Sequence, residues 1–236
     1  MNYIDKLCDH PWTNERNDTS FDEYVDGCEN LTEGCLEQLD VISEIIVSSE
    51  KQISEFEVGN AEACSKEQIE TLKLYKGFAD TEARLLLFEL DFLTAYKHLL
   101  LSTTDWEYRF FVRRIYTLMH EMRAGFVKPT GEAMILLKEM VGVESFSGYE
   151  KNRKYLNQFL QKNDSLFKEV RDKTDAHKDD VEIQVEIIEG ISVKDSRKLT
   201  EEYFDIISGL SITLLPIFAT LLKHIKGLCP TKKVGT

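Results

Sequence analysis

Residues 20–56 read SFDEYVDGCENLTEGCLEQLDVISEIIVSSEKQISEF, and this stretch decides the fold class. Val25, Cys28, Thr32, Cys35, Leu39, Ile42, Ile46, Ser49, Ile53 and Phe56 recur at alternating steps of three and four. That spacing gathers them on one stripe of a long helix suited to lie nearly antiparallel to a neighbour. Ser20 followed by Glu23 has the form of a capping box at its start. The opposite face is acidic (Asp22, Glu23, Asp26, Glu29, Glu33, Glu37, Asp40, Glu44), as expected of a solvated surface.

Working outward, Gly59 and Asn60 break this helix, and Ser65 with Gln68 restarts the chain by a second capping box. The short connection predicts an antiparallel helical hairpin over 20–102. The second half of its return helix, ARLLLFELDFLTAYKHLLL, is apolar on most sides, which marks the centre of a core. Thr104 and Glu107 cap a helix that stops near Gly125, and Thr130 begins a shorter one to about Val143. Past Gly148, YEKNRKYLNQFLQ is helical, Asn163-Asp164-Ser165 provides a turn or N-cap, and SLFKEVRDKT resumes as helix. VEIQVEII, residues 181–188, fits both a strand and a helix, and periodicity does not choose. Asp195 or Thr200 starts the last helix, which ends near Gly227. The expectation is an all-α fold: one helical domain over 1–236, with the hairpin at 20–102, a bundle at 85–225 and a tail at 226–236.

Composition agrees. Of 236 residues only 12 are Gly and 4 are Pro, and 42% are hydrophobic, which favours a helical globular protein over a turn-rich sandwich. The five cysteines (Cys8, Cys28, Cys35, Cys64, Cys229) form no C-x-x-C pair and have no His at ligand spacing. They are expected to be reduced, mostly buried thiols of a cytoplasmic protein, with neither zinc nor redox chemistry. The N-terminus lacks a basic start and an apolar run, so no signal peptide is expected. Ile206–Leu222 carries no charge but falls short of the roughly 20 apolar residues of a membrane span; it reads as a core helix, and no membrane partner is expected. A net charge of −13 argues against broad adhesion to nucleic acid, so any nucleic-acid chemistry must use a local basic site.

One stretch offers such a site: KEVRDKTDAHKDD, Lys168 to Asp180. An arginine grips a phosphodiester with its planar fork of donors. A histidine near neutrality can move a proton to or from a ribose oxygen. Together they suffice, without metal, for attack of an RNA 2′-hydroxyl on its own phosphate. On a continuous helix, residues six apart differ by about 9 Å in rise and about 120° in direction. Arg171 and His177 therefore converge only if the helix ends between them, and Thr174-Asp175 is the expected place. Arg114 and His120 have the same spacing but apolar neighbours, which places His120 at a core edge.

The run RDKTDAH resembles the hallmark of the HEPN superfamily, the small all-helical domains of many bacterial toxin and abortive-infection RNases. That hallmark is Arg followed by Asn, Asp or His, then a His four to six residues on, often preceded by Ala. Arg171, Asp172, Ala176 and His177 match each element. The resemblance spans roughly 85–222 and leaves the acidic N-terminal hairpin unexplained. It implies a metal-independent, cofactor-free endoribonuclease acting on RNA, with a site built between two protomers of a homodimer, and in toxin systems an antitoxin partner. It also implies roles: Arg171 holds the scissile phosphate, His177 is acid or base, and Asp172 orients one of them. Two alternatives stay open, a non-catalytic HEPN-like binding or scaffold module, and an unrelated helical protein in which Arg171 and His177 only pair with carboxylates.

No P-loop, dinucleotide-binding glycine pattern, nucleophile elbow, H-E-x-x-H or E-x-x-H occurs. His10, His98 and His224 are isolated and read as surface or helix-end residues.

Overall fold

The computed structural model describes residues 19–58, 64–125, 129–173 and 181–228, with side chains at all of these but 19–21, 145 and 181–184. Seven α-helices and no strand occur among the described residues: α1 Thr19–Glu57, α2 Lys66–Leu100, α3 Asp105–Gly125, α4 Gly131–Val141, α5 Val143–Arg171, α6 Val181–Gly190 and α7 Val193–Leu228. The fold is an all-α helical bundle. The chain divides into two compact units, one of residues 1–33, 87–126 and 152–209, the other of 34–86, 127–151 and 210–236.

α1 and α2 form the expected antiparallel hairpin. In the first unit Lys97 reaches Glu29 at 2.5 Å, and in the second Lys76 meets Glu50 at 3.4 Å. The eight acidic positions of α1 are all exposed, as a solvated face should be. The buried stripe differs from the expected one on one flank. Cys28, Cys35, Ile42 and Ser49 are buried every seven residues, but Gln38 and Ile45 join them in place of Leu39 and Ile46. Ile45 and Ile46 are equally apolar, so the pattern has no preference between them. Gln38 is buried because its amide is used: Nε2 donates to Ser211 Oγ at 2.6 Å and to the Ser211 carbonyl at 3.2 Å.

The caps fall largely where the residue types put them. Gln68 N–H donates to Ser65 Oγ, and Ser65 N–H donates to Gln68 Oε1. Glu107 and Thr104 exchange the same pair of bonds at α3, and Thr130 caps α4. α1 begins at Thr19, one residue before the expected cap at Ser20. α7 begins at Val193, with Ser192 Oγ accepting from Asp195 N–H. Residues 181–190, which sequence left undecided, are helix.

Two expected breaks are absent. Gly148 lies inside α5, where a Cβ would come within 3.2 Å of Thr213 Cγ2; the glycine permits close packing rather than a turn. Asn163-Asp164-Ser165 is also helical. Asn163 Nδ2 donates back to the Phe159 carbonyl at 3.0 Å, and Asp164 faces α3, so neither side chain competes for the helix backbone.

In the first unit Phe92, Phe159 and Tyr203 pack ring against ring, with Tyr24 and Tyr96 around Phe204. In the second, Phe78 sits between Tyr149 and Phe218. The thiol expectation holds in part. Cys28 and Cys35 are buried and stand outside any disulfide, whereas Cys64 is disulfide-bonded. Val193–Leu228 is long and apolar enough to cross a membrane by length and composition alone.

Candidate functional site

The site is built at the C-terminal end of α5, within the first unit. Phe159, Phe167 and Val170 anchor the last turns of this helix in the core. Phe167 packs its ring against Tyr116 of α3 at 5.2 Å. One turn further back on α5, Asp164 Oδ1 lies 3.2 Å from His120 Nδ1, and its other oxygen is 3.5 Å from Arg123 Nε. These contacts make α3 and α5 antiparallel neighbours and leave the end of α5 at the surface.

Arg171 is the last residue of α5, three positions before the expected loosening at Thr174. The helix widens beyond it through Asp172 and Lys173, a wider turn of the kind often found beside functional groups. Arg171 Nη1 donates to Asp172 Oδ1 at 2.9 Å, with 39% of the Arg171 side chain exposed. The guanidinium is therefore held at one edge and still open to solvent. Ala176 and His177 lie outside the described residues, so of the sequence-predicted set the structure brings together Arg171 and Asp172.

Beside them is a recess of about 370 Å³, lined by Tyr116, Leu166, Val170, Ile191 and the carboxylates Glu169 and Asp195. Its far wall is fixed by Arg109. The Arg109 guanidinium donates to the carbonyls of Ile188, Glu189 and Ile191 at 2.7, 3.0 and 2.8 Å and pairs with Asp105. One arginine thus satisfies carbonyls that the end of α6 would otherwise leave without donors. Tyr108 closes the same corner, sharing a 2.8 Å hydrogen bond with Ser196 Oγ, and burial pushes its hydroxyl up to about 12.

No family model, no curated protein and no solved structure matches the chain. Among the described residues no group of three or more His, Cys, Asp or Glu is placed to hold a metal ion.

Several groups here were not legible in the sequence. The His120–Asp164 pair joins residues 44 positions apart, and nothing in the spacing announces it. His120 is expected at a core edge and is largely buried there, but it has a carboxylate partner. The stripe of exposed Trp106 and Phe110 with half-buried Arg113 did leave a signal: two large aromatics and an arginine at i, i+4 and i+7 on the otherwise polar side of α3. His98 and His224 are exposed, as expected, and each lies against a ring, Phe111 and Tyr75 respectively.

Proposed function

We propose that the protein is a metal-independent endoribonuclease of the HEPN type, of the kind used in bacterial toxin and phage-defence systems, acting as a cytoplasmic homodimer. The observation that carries this reading is the Arg171–Asp172 pair: a half-exposed guanidinium at a helix end, oriented by the adjacent carboxylate 2.9 Å away. Such a fork can donate to two phosphate oxygens, which a lysine in the same place could not match. In the proposed reaction Arg171 neutralises the scissile phosphate. His177 removes the proton of the 2′-hydroxyl or supplies one to the leaving 5′-oxygen. The 2′-oxygen then forms its bond to phosphorus as the 5′-oxygen bond breaks, leaving a 2′,3′-cyclic phosphate.

A second reading is favoured by the charge balance. At −13 overall, with Glu169 and Asp195 lining the recess near the end of α5, the chain suits a non-catalytic HEPN-like binding module as well as an enzyme. The deciding experiment is incubation of purified wild-type protein with a mixed RNA pool in the presence of EDTA, with products resolved by mass. Cyclic-phosphate termini that disappear in Arg171→Ala and His177→Ala support the enzyme. Wild-type protein that binds RNA without cutting it, and loses binding in the same variants, supports the module.

A further inference from the structure

The recess beside the end of α5 holds polar groups that the proposed reaction does not use. It lies wholly within the first unit, and its 370 Å³ or so is near the lower end of the roughly 300–1,000 Å³ of small-ligand sites. Its walls are fixed by the protein alone. Arg109 holds the Ile188, Glu189 and Ile191 carbonyls, and the Tyr108 hydroxyl donates to the Val193 carbonyl at 3.1 Å. The end of α6 and the start of α7 are thereby pinned to α3.

Tyr116 lines this recess with only 3% of its surface exposed, and its ring packs on Phe167. Its hydroxyl has no hydrogen-bond partner among the described residues, unlike that of Tyr108, which meets Ser196 Oγ at 2.8 Å. A buried hydroxyl without a partner is costly, and one that lines a cavity is placed to be completed from it. Burial, with the neighbouring Tyr108 and Asp195, pushes the Tyr116 hydroxyl above its ordinary value, so it stays protonated and lies within electrostatic reach of Asp195.

Two carboxylates join it. The backbone N–H of Asp195 donates to Ser192 Oγ, while its carboxylate has no ion pair or hydrogen bond among the described residues. Glu169 Oε1 accepts from Lys173 Nζ at 2.8 Å, but both side chains are about half exposed and such a pair holds weakly. No lysine or arginine is among the lining residues, and the remaining wall is mostly apolar.

These groups select by charge and by direction. Two carboxylates repel an anion, and against a neutral apolar guest they would lose water without compensation. A guanidinium seeks one carboxylate edge for its planar fork, whereas an ammonium directs three donors to separate acceptors. Here the acceptors stand on three elements, α3, α5 and α7.

We propose that the recess binds a small aliphatic primary amine, its ammonium shared by Asp195, Glu169 and the Tyr116 oxygen, and its stem lying on Leu166, Val170 and Ile191. The site uses neither Arg171 nor His177 and does not depend on the ribonuclease reading.

The test is titration of isotope-labelled full-length protein with n-pentylamine at pH 7 and low salt, read from amide chemical shifts. Saturable shifts are expected around Glu169, Ile191 and Asp195, with a Kd on the order of 1 mM. n-Pentanol keeps the stem without the charge, and n-pentyltrimethylammonium keeps the charge without the donors; each should bind about tenfold more weakly or worse. Asp195→Asn and Glu169→Gln should each weaken binding about tenfold, and Tyr116→Phe about fivefold. Lys173→Ala should tighten it about twofold by releasing Glu169. Absence of saturable shifts, equal affinity for n-pentanol, or unchanged affinity in both carboxylate variants overturns the proposal. If a carboxylate variant fails to fold, the comparison of n-pentylamine with n-pentanol on wild-type protein decides. Binding of a capped lysine but not of n-pentylamine would place a partner protein's side chain in the recess and overturn the free amine.

Discussion

The hydroxyl of Tyr149 donates to Glu82 Oε1 at 2.9 Å, and both residues are fully buried in the second unit. A carboxylate without access to water depends on its hydrogen-bond donors, so this bond matters more than an exposed one. Tyr149→Phe keeps the ring between Phe78 and Phe146 and removes only the donor. The expected loss is about 1.5–3 kcal/mol, the range for a hydrogen bond to a charged group. Urea denaturation with an unchanged slope and a lower midpoint measures it.

Cys28 and Cys64 should differ in their chemistry. Burial pushes the Cys28 thiol up to about 12, so at pH 8 almost none of it is thiolate. Iodoacetamide should leave Cys28 unmodified in native protein and alkylate it after unfolding. Cys64 is already disulfide-bonded. Gln68, one turn after Cys64, donates to the Leu228 carbonyl at 2.9 Å, and Leu228 immediately precedes Cys229 in the sequence. Non-reducing peptide mapping is expected to recover Cys64 linked to Cys229, and recovery of a Cys64–Cys8 peptide would refute this.

Arg109 is expected to be a structural hinge pin for α6. Its three carbonyl contacts and its pairing with Asp105 involve a planar fork that lysine cannot imitate. Arg109→Ala and Arg109→Lys should both accelerate amide exchange in Val181–Gly190, by tenfold or more if about 1.5 kcal/mol of local stability is lost, while α2 is unaffected. Equal protection in the lysine variant would show that charge alone suffices.

How much of this was legible follows from the kind of signal each feature leaves. Caps at Ser65, Thr104 and Thr130 are local chemistry, three residues long, and sequence places them correctly. The turn expected at Asn163-Asp164-Ser165 fails because Asp164 is recruited by His120 and Arg123, residues about forty positions away. The buried stripe of α1 is right at Cys28, Cys35, Ile42 and Ser49 and off by one at Gln38 and Ile45, where the partner that holds Gln38 is Ser211. In the site, Arg171 stood out by its polar company. Trp106 and Phe110 leave only their spacing as a signal, and spacing does not say that both rings are exposed.

The homodimer proposed above can be tested at an exposed apolar strip of α7. Ile212 is 73% exposed and Leu215 44%, three residues apart on α7, with Pro216 and Ala219 continuing the same charge-free strip. Ile212→Lys with Leu215→Lys adds charge at two exposed positions where little packing is lost, so the fold should persist. Light scattering at tens of micromolar should report a dimer for the wild type and a monomer for the double variant. A wild-type monomer would remove the two-protomer site.

Catalysis, in the proposed reaction, depends most directly on His177 and Arg171. His177→Ala should reduce cleavage by about 10²–10⁴, the usual cost of losing a general acid or base, with little change in melting temperature. Arg171→Ala should be comparably damaging. Arg171→Lys should not restore activity, because a point charge cannot occupy two phosphate oxygens and hold Asp172 at once. Asp172→Asn tests orientation separately: it retains an acceptor for Arg171 Nη1 but removes its charge. Activity should fall less than in Arg171→Ala if Asp172 only positions the guanidinium. Asp172→Asn as inactive as His177→Ala would instead assign the carboxylate a direct part in proton transfer. Wild-type protein inert toward every RNA, with Arg171 and His177 variants that simply melt earlier, would leave both residues as structural and withdraw the proposed function.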